Sequence, residues 1–339
     1  MVKFGIIGTS SITERFIDAG KKLKNIEITA LYSRTEKRAL EFAAKHDIPN
    51  IYTDVKEMAS SSVVDAVYIA SPNSFHFQQA IDAMKAGKHV LCEKPMAVNS
   101  LEVAKMIKTA KEEGVLLMEA MKTTFCPNFK IIQDNLYKIG KLRKFYGNFC
   151  RYSSAYEKIL AGKLPNVFNP QFAGGALMDI GIYLLYPTLK LFGTPKEIKC
   201  SSTLLPSGVD GEGNLFLEYE DFTAFLSYSK ITQSYIPSEI QGELGSMIIE
   251  KLSNTKSIKL LLKDGTSENL TIHQDENLLS YEIKEFVSLI LKGVKESSIN
   301  SHNMALLSSS VMEKARKQVG VRYPSDFNTT VSTSNQEKV

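Results

Sequence analysis

Three side chains combine a reactive type with a telling position. Lys94 stands in Glu93-Lys94-Pro95, directly after a short apolar run at 89–92. If that run is a central parallel strand, the lysine at its carboxyl end faces the crevice where open α/β sheets bind ligands. Pro95 holds its neighbour extended and stops the strand, which would fix where Lys94 sits. Asp179 and Tyr183 lie in Gly174-Gly175-Ala176-Leu177-Met178-Asp179-Ile180-Gly181-Ile182-Tyr183, at a spacing that a helix sets on one face. A polar stripe on an ordinary helix would read the same way. Here Leu177, Met178, Ile180, Ile182, Leu184 and Leu185 make the segment apolar nearly all round. Such a helix is buried, and a buried Asp and Tyr need partners or a function.

A second group of residues suits a dinucleotide. The strand-like stretch 2–7 runs into Gly8-Thr9-Ser10-Ser11-Ile12-Thr13 and then a helical pattern, the context of a phosphate-binding loop. The helix start offers free N–H groups and the positive end of the helix dipole. Of the three glycines of such a loop only Gly8 stands, with Ser10 and Thr13 in place of the others; a plain strand–helix turn fits equally. At the end of the second strand the chain reads Leu31-Tyr32-Ser33-Arg34-Thr35, with Arg38 one turn further. The acid that would bind the ribose diol of NAD is missing. A hydroxyl beside two guanidinium groups suits a 2′-phosphate, so NADP is expected over NAD.

The elements that must position these groups follow from the hydrophobic pattern. Residues 2–8, 26–32, 63–70, 89–92 and 115–119 read as short strands, and 12–23, 36–46, 75–86 and 101–113 as helices. This alternation predicts an α/β class, with βαβ units wound into a Rossmann parallel sheet. After about residue 120 the pattern turns to extended segments at 143–152, 197–203, 213–220, 223–232, 238–243, 247–252 and 257–262. Helices are expected near 176–191, 279–291 and 301–318. Successive strands with few helices predict an α+β domain holding a large, mostly antiparallel open sheet. The expected division is an NAD(P)-binding domain at 1–120, a substrate-binding and oligomerisation domain at 121–326, and a disordered tail at 327–339 rich in Ser, Thr and Asn.

Composition narrows the function classes. A chain of 339 residues suits two cores rather than one. The net charge of +4 is small and the basic residues are scattered, which argues against nucleic acid as a partner. No apolar run is read as reaching the roughly 20 residues of a bilayer span. The polar Thr9-Ser10-Ser11 breaks any signal-peptide pattern, so no membrane partner and a cytoplasmic location are expected. Cys92, Cys126, Cys150 and Cys200 are widely spaced and read as free thiols, and no metal-ligand spacing is present.

With these elements in order, the sequence resembles the Gfo/Idh/MocA oxidoreductase family. The likeness is carried by Gly8 to Thr13, Ser71-Pro72-Asn73 with His76, Glu93-Lys94-Pro95, Glu119-Ala120 and the segment 174–183, and it extends from Val2 to about Tyr323. Many members have His where this chain has Tyr183. The tyrosine form is similar to the branch holding dimeric dihydrodiol dehydrogenase, NADP-dependent xylose dehydrogenase and glucose–fructose oxidoreductase, which also implies NADP.

The resemblance implies Lys94 and Tyr183 as the catalytic pair and Asp179 as their supporting carboxylate. It places Ser71, Pro72, Asn73, His76 and Glu93 along the nicotinamide half of the cofactor cleft. The implied reaction moves hydride between nicotinamide and a secondary alcohol or carbonyl of a sugar, polyol or related vicinal-hydroxyl compound. Tyrosine is a poor base at its ordinary pKa of about 10. A neighbouring Lys94 ammonium is expected to lower that value. A non-catalytic dinucleotide-binding regulator on the same fold would have lost Lys94 or the Asp/Tyr pair, and all three are present.

One departure stands out: where many members carry Trp-Arg after Glu119-Ala120, this chain reads Met121-Lys122-Thr123-Thr124. The small Thr123 and Thr124 are expected to leave that wall of the pocket open. The open sheet is expected to join copies into a homodimer or higher homo-oligomer.

Overall fold

The computed structural model describes residues 1–327. Six parallel strands form the first sheet: β1 (Val2–Ile7), β2 (Ile26–Tyr32), β3 (Asn50–Tyr52), β4 (Ala66–Ile69), β5 (His89–Glu93) and β6 (Leu117–Ala120). Their spatial order is β3-β2-β1-β4-β5-β6, so the winding reverses between β1 and β4. Both faces are covered, which is why the strands are apolar on both sides. On one face Phe4 and Ile6 pack with α1 (Ser11–Gly20) and α2 (Glu36–His46). On the other, Ile7, Val67 and Ile69 pack with α3 (Val55–Ser60), α4 (Asn73–Lys85) and α5 (Ser100–Glu112). The three-residue β3 and the short α3 escape sequence reading because neither is long enough to show a period.

Eight strands form the second sheet: β7 (Leu142–Cys150), β8 (Glu197–Leu204), β9 (Asp210–Glu218), β10 (Thr223–Ser229), β11 (Ser238–Gly242), β12 (Gly245–Glu250), β13 (Ser257–Leu262) and β14 (Ser267–Asn269). They lie in the order β14-β13-β12-β11-β7-β10-β9-β8, antiparallel throughout except for the parallel β7–β10 pair. Inward residues such as Phe145, Leu215, Leu226, Ile240 and Met247 alternate with outward ones along each strand. On the outer face the register aligns Phe216, Phe225, Tyr146, Glu239 and Ile248 in one row.

Helices α6 (Pro127–Asn135) and α7 (Ser154–Leu160) flank this sheet, and α8 (Ile182–Phe192) forms its inner core with Leu184, Leu185 and Leu189. A π-helical turn, Leu177–Gly181, leads into α8. By length and composition the stretch Pro170–Phe192 would pass for a membrane span, contrary to the expectation that no such run exists. Of its most apolar 18 residues 83% are buried within the protein, as in the core helix of a folded domain.

The last two helices cross back over the molecule. α9 (Leu279–Leu291) sets Leu279, Ile283 and Phe286 against Phe4 and Phe16 of the first core, although it belongs to the later part of the chain. α10 (His302–Gln318) places Ala305 in the first core and Val311, Met312 and Ala315 in the second. The four cysteines are free. Of the tail expected from 327 onward, all but Phe327 lies outside the described residues.

The end of the described chain is tied down by charge. Arg316 on α10 is buried and donates to both oxygens of Asp326, at 2.5 and 2.6 Å, and to the Val98 carbonyl oxygen at 3.2 Å. Removing one partner of a buried pair strands the other charge. Arg316→Ala is therefore expected to lower unfolding stability by about 3–5 kcal/mol, measurable by urea titration. A change below about 1 kcal/mol would mean that the pair is not holding this end of the chain.

Candidate active site

A cleft of about 1460 Å³ runs between the two sheets, from Thr9 and Arg38 at one end to Tyr183 and Lys230 at the other. Its phosphate-loop end is built on the β1–α1 turn. Gly8 has φ +120°, and a Cβ there would meet the Ala70 carbonyl oxygen at 2.6 Å, so the single retained glycine sits where β1 passes the end of β4. Gly8, Thr9, Ser10, Ser11 and Ile12 all line the cleft. Ser10 precedes α1 in an extended conformation and its hydroxyl makes no cap bond, which leaves it available to a ligand. Arg38 donates from Nε to Thr9 Oγ1 at 2.5 Å and from Nη2 to the Thr9 carbonyl oxygen at 3.2 Å, bracing the loop. Arg34 is exposed beside the buried Ser33, both on the cleft wall.

Ser71, Pro72, Asn73 and His76 line the middle of the cleft, but their polar atoms are largely engaged with the protein. The buried His76 sets one ring nitrogen 2.9 Å from the Pro95 carbonyl oxygen and the other 2.9 Å from that of Ser71. Burial lowers its pKa. Ser71 Oγ donates to Gln79 at 2.6 Å, and Asn73 donates to the Ala173 carbonyl oxygen at 2.9 Å. These residues brace the strand ends against each other and against the segment leading to α8.

That segment depends on the glycine pair seen in the sequence. A Cβ on Gly174 would meet the Val167 carbonyl oxygen at 2.5 Å, and Gly175, at φ +126°, lies tight against Asp210. The Asp210 carboxylate accepts from Leu177 N at 2.6 Å and so opens the π-turn. The turn carries Asp179, and Tyr183 follows in α8. Pro187, which has no N–H, cannot close the helical bond to the Tyr183 carbonyl, so the pair sits in locally irregular helix.

Lys94, Asp179 and Tyr183 meet at the far end of the cleft. Lys94 Nζ donates to the Asp179 carbonyl oxygen at 2.7 Å, lies 3.4 Å from Asp179 Oδ1, and sits 4.6 Å from the Tyr183 ring centroid. Burial opposes the Lys94 charge, yet Tyr183, Asp179 and Glu93 around it hold its pKa above the ordinary lysine value. Burial also works against ionised Asp179, but Lys94 and Lys230 outweigh it and hold the carboxyl down at about 2. The expectation that Lys94 lowers the Tyr183 pKa is half right. Burial raises it most, Lys94 pulls it down, and Glu93, Asp179 and Glu282 push it up again. The net direction is upward, because desolvation of a phenolate exceeds the attraction of one ammonium over the ring face.

Two lysines escaped the sequence reading. Lys230, just past β10, is buried and pairs with Asp179 Oδ2. Lys122 is also buried, donates to Asn254 Oδ1 at 2.6 Å, and lies 5.6 Å from the Tyr183 centroid. A lysine at the end of an inward-alternating strand, and one in the stretch after Glu119-Ala120 that departs from the family pattern, were the available signals. Thr123 and Thr124 do not open the pocket as expected. Both are buried and turned away, Thr123 donating to the Ser253 carbonyl oxygen at 2.7 Å and Thr124 bonded to Asn300 Oδ1 at 2.5 Å. Lys122 fills the wall instead.

Burial pushes three carboxyl groups beneath the site towards the neutral form. Glu93 accepts from the Tyr68 hydroxyl at 2.6 Å, and burial raises its pKa. Glu282 on α9 is fully buried with neither oxygen hydrogen-bonded, and burial raises it strongly. Glu119 accepts from Met96 N at 2.9 Å, and burial pushes it up to about 8. A carboxyl with a raised folded pKa costs stability as pH climbs from about 4.5 towards about 8. Glu119→Gln is expected to gain on the wild type between pH 5 and pH 8 by about 2–4 kcal/mol in urea unfolding. A gap that does not change with pH would show that Glu119 titrates normally.

Comparison with known proteins agrees with this architecture. The Rossmann-fold domain of the GFO_IDH_MocA oxidoreductase family is matched by residues 2–121, and the GFO/IDH/MocA C-terminal domain by residues 134–248. The chain is 47% identical over 326 residues to scyllo-inositol 2-dehydrogenase (NADP(+)) IolU of Bacillus subtilis (strain 168), covering 96% of this chain and 99% of that protein. It is 30% identical to trans-1,2-dihydrobenzene-1,2-diol dehydrogenase of Homo sapiens, again over 96% of this chain and 99% of the other. A crystal structure of a 3-ketoreductase from Actinomadura kijaniata with NADP superposes with a TM-score of 0.83 at 23% identity, over 94% of this chain and 98% of that one, a likeness of fold. The chain belongs to the Gfo/Idh/MocA oxidoreductase family.

Proposed function

We propose that this protein is an NADP-preferring dehydrogenase that interconverts a secondary alcohol and a carbonyl on a sugar, polyol or related vicinal-hydroxyl compound. The observation that carries the reading is the convergence of Lys94, Asp179 and Tyr183 at one end of a cleft whose other end is a phosphate loop. The loop fits the cofactor: Gly8 admits close approach, Ser10 keeps a free hydroxyl at a helix start, and Ser33 with Arg34 suits a 2′-phosphate. When bound, NADP supplies or accepts the hydride, and its oxidised ring adds a positive charge that favours a nearby phenolate. The NADP dependence of the Bacillus subtilis relative, and its action on a cyclic polyol, support the same choice.

In this reading Tyr183 is the acid/base. Its phenol gives a proton to the carbonyl oxygen in reduction and takes one from the alcohol in oxidation. Lys94, held protonated, donates to the same substrate oxygen and eases charge build-up there. Asp179 and Lys230 set the Lys94 ammonium in place. His76 and Asn73 act through the strand ends they brace rather than by direct contact. The two sheets support a division into a cofactor unit at 1–120 and a substrate unit at 121–326, the latter lending α9 to the core of the former. We also infer assembly of copies through the outer face of the eight-stranded sheet, where Tyr146 and Phe225 stack at 5.9 Å beside Phe216 and Ile248. A cytoplasmic site of action suits four free thiols.

Tyr183→Phe is expected to cut turnover by roughly 100-fold or more while leaving NADPH binding intact. Turnover near the wild-type rate on a verified inositol or sugar would overturn the acid/base role. Because the Tyr183 pKa lies above its ordinary value, the phenol is protonated at neutral pH. Oxidation should therefore accelerate as pH rises through the alkaline range, while reduction stays level over the same span. A panel of inositols, aldoses and dicarbonyls read by nicotinamide absorbance tests both claims. Arg34→Ala is expected to raise the KM for NADP roughly tenfold and leave that for NAD unchanged. Better activity with NAD in the wild type would remove the 2′-phosphate reading.

A further inference from the structure

Lys122 is a buried ammonium that the proposed reaction does not yet use. It follows β6, lines the cleft, and lies 5.6 Å from the Tyr183 ring centroid, with Lys94 at 4.6 Å from the same ring. Its surroundings differ from those of its neighbours. Lys94 and Lys230 share the Asp179 carboxylate, whereas among the described residues Lys122 Nζ has one hydrogen-bond partner, the neutral amide oxygen of Asn254 at 2.6 Å. An ammonium has three N–H donors. Two are left for something in the cleft, on a group that burial and Arg15 already disfavour as a cation.

The placement of Asn254 is costly, which argues that it matters. Asn254 lies in the turn at 251–256 between β12 and β13, where Lys251 (φ +48°) and Thr255 (φ +45°) both adopt the left-handed conformation that non-glycine residues avoid. Four bonds hold the turn there. Thr123 donates to the Ser253 carbonyl oxygen at 2.7 Å, Asn128 to that of Thr255 at 3.1 Å, and Gln274 to those of Asn254 and Thr255 at 3.2 Å each. A strained, heavily anchored turn of the second sheet thus reaches across to steady one lysine of the first.

We propose that Lys122, steadied by Asn254, hydrogen-bonds the hydroxyl oxygen on the carbon next to the one that is oxidised. Two ammonium groups beside one tyrosine then match two adjacent oxygens. Lys94 and Tyr183 take the reacting one, and Lys122 takes its neighbour. A vicinal oxygen pair, rather than a lone hydroxyl, is the feature this site selects. The inference rests on the reading of Tyr183 as the acid/base, which locates the reacting carbon.

The test uses the full chain with NADPH bound, titrated with trans-1,2-cyclohexanediol and with cyclohexanol and followed by NADPH fluorescence. Lys122→Met is expected to weaken the diol about tenfold or more, the size expected for losing a charged donor. Cyclohexanol affinity should change less than about twofold, since the hydrogen bond removed is one it never makes. Asn254→Ala, on a turn rather than in a core, should move the diol in the same direction by a smaller factor. In diol oxidation by Lys122→Met, the loss should fall on KM with the pH profile of kcat unshifted. Equal weakening of both ligands, or no weakening of the diol, overturns the proposal. So does a shifted kcat profile with unchanged KM, which would make Lys122 a tuner of Tyr183. Undiminished turnover in Tyr183→Phe would instead sink the acid/base reading and leave the diol–monoalcohol contrast at Lys122 to be judged on its own.

Discussion

The Asp179 carboxylate is where three separately built parts of the chain are joined. Lys94 arrives from the end of β5 in the parallel sheet, Lys230 from the end of β10 in the other sheet, and Asp179 itself from the π-turn between them. Each lysine is nearly buried and would be costly to keep charged without an anion, and the anion would be costly without them. The mutual dependence is visible in the directions of titration, with Asp179 held down at about 2 and Lys94 held above its usual value. Glycines 174 and 175, Asp210 and Pro187 can all be understood as the backbone conditions for presenting that one carboxylate and, one turn later, the Tyr183 hydroxyl.

Around this triad the acidic groups divide by environment. Asp179 touches two ammonium groups and stays ionised, whereas Glu93, Glu119 and Glu282 are buried with hydroxyl, amide or no partners and are pushed towards the neutral form. The far end of the cleft thus gathers Lys94, Lys122 and Lys230 around Asp179 and a Glu93 that burial pushes towards its neutral form, a field weighted by the lysines. Such a field favours a developing alkoxide on a substrate oxygen.

What could be read in the sequence was local. Lys94 at a strand end and the Asp179/Tyr183 spacing in an apolar helix are properties of short segments, and the structure brings those segments together. The α/β class and the open antiparallel sheet followed from periodicity over ten residues or so. What could not be read was whatever depends on distant packing. Lys230 and Lys122 are ordinary lysines until β10 and the turn at 251–256 are folded against the cleft. Thr123 and Thr124 look like pocket residues until Ser253 and Asn300 claim their hydroxyls. The Tyr183 pKa depends on a contest between burial and one cation that spacing alone does not decide.

The return of α9 to the first sheet has a consequence for how the protein can be taken apart. Phe4 and Phe16 rest on Phe286 and its neighbours, so a fragment ending near residue 120 would keep every strand of the parallel sheet yet leave an apolar face bare. α10 adds a further tie, with one end in each core. The two units are thus interleaved in sequence rather than strung on a single linker. Several crossings tie them together, and the parallel sheet depends for part of its cover on a helix supplied from the far end of the chain.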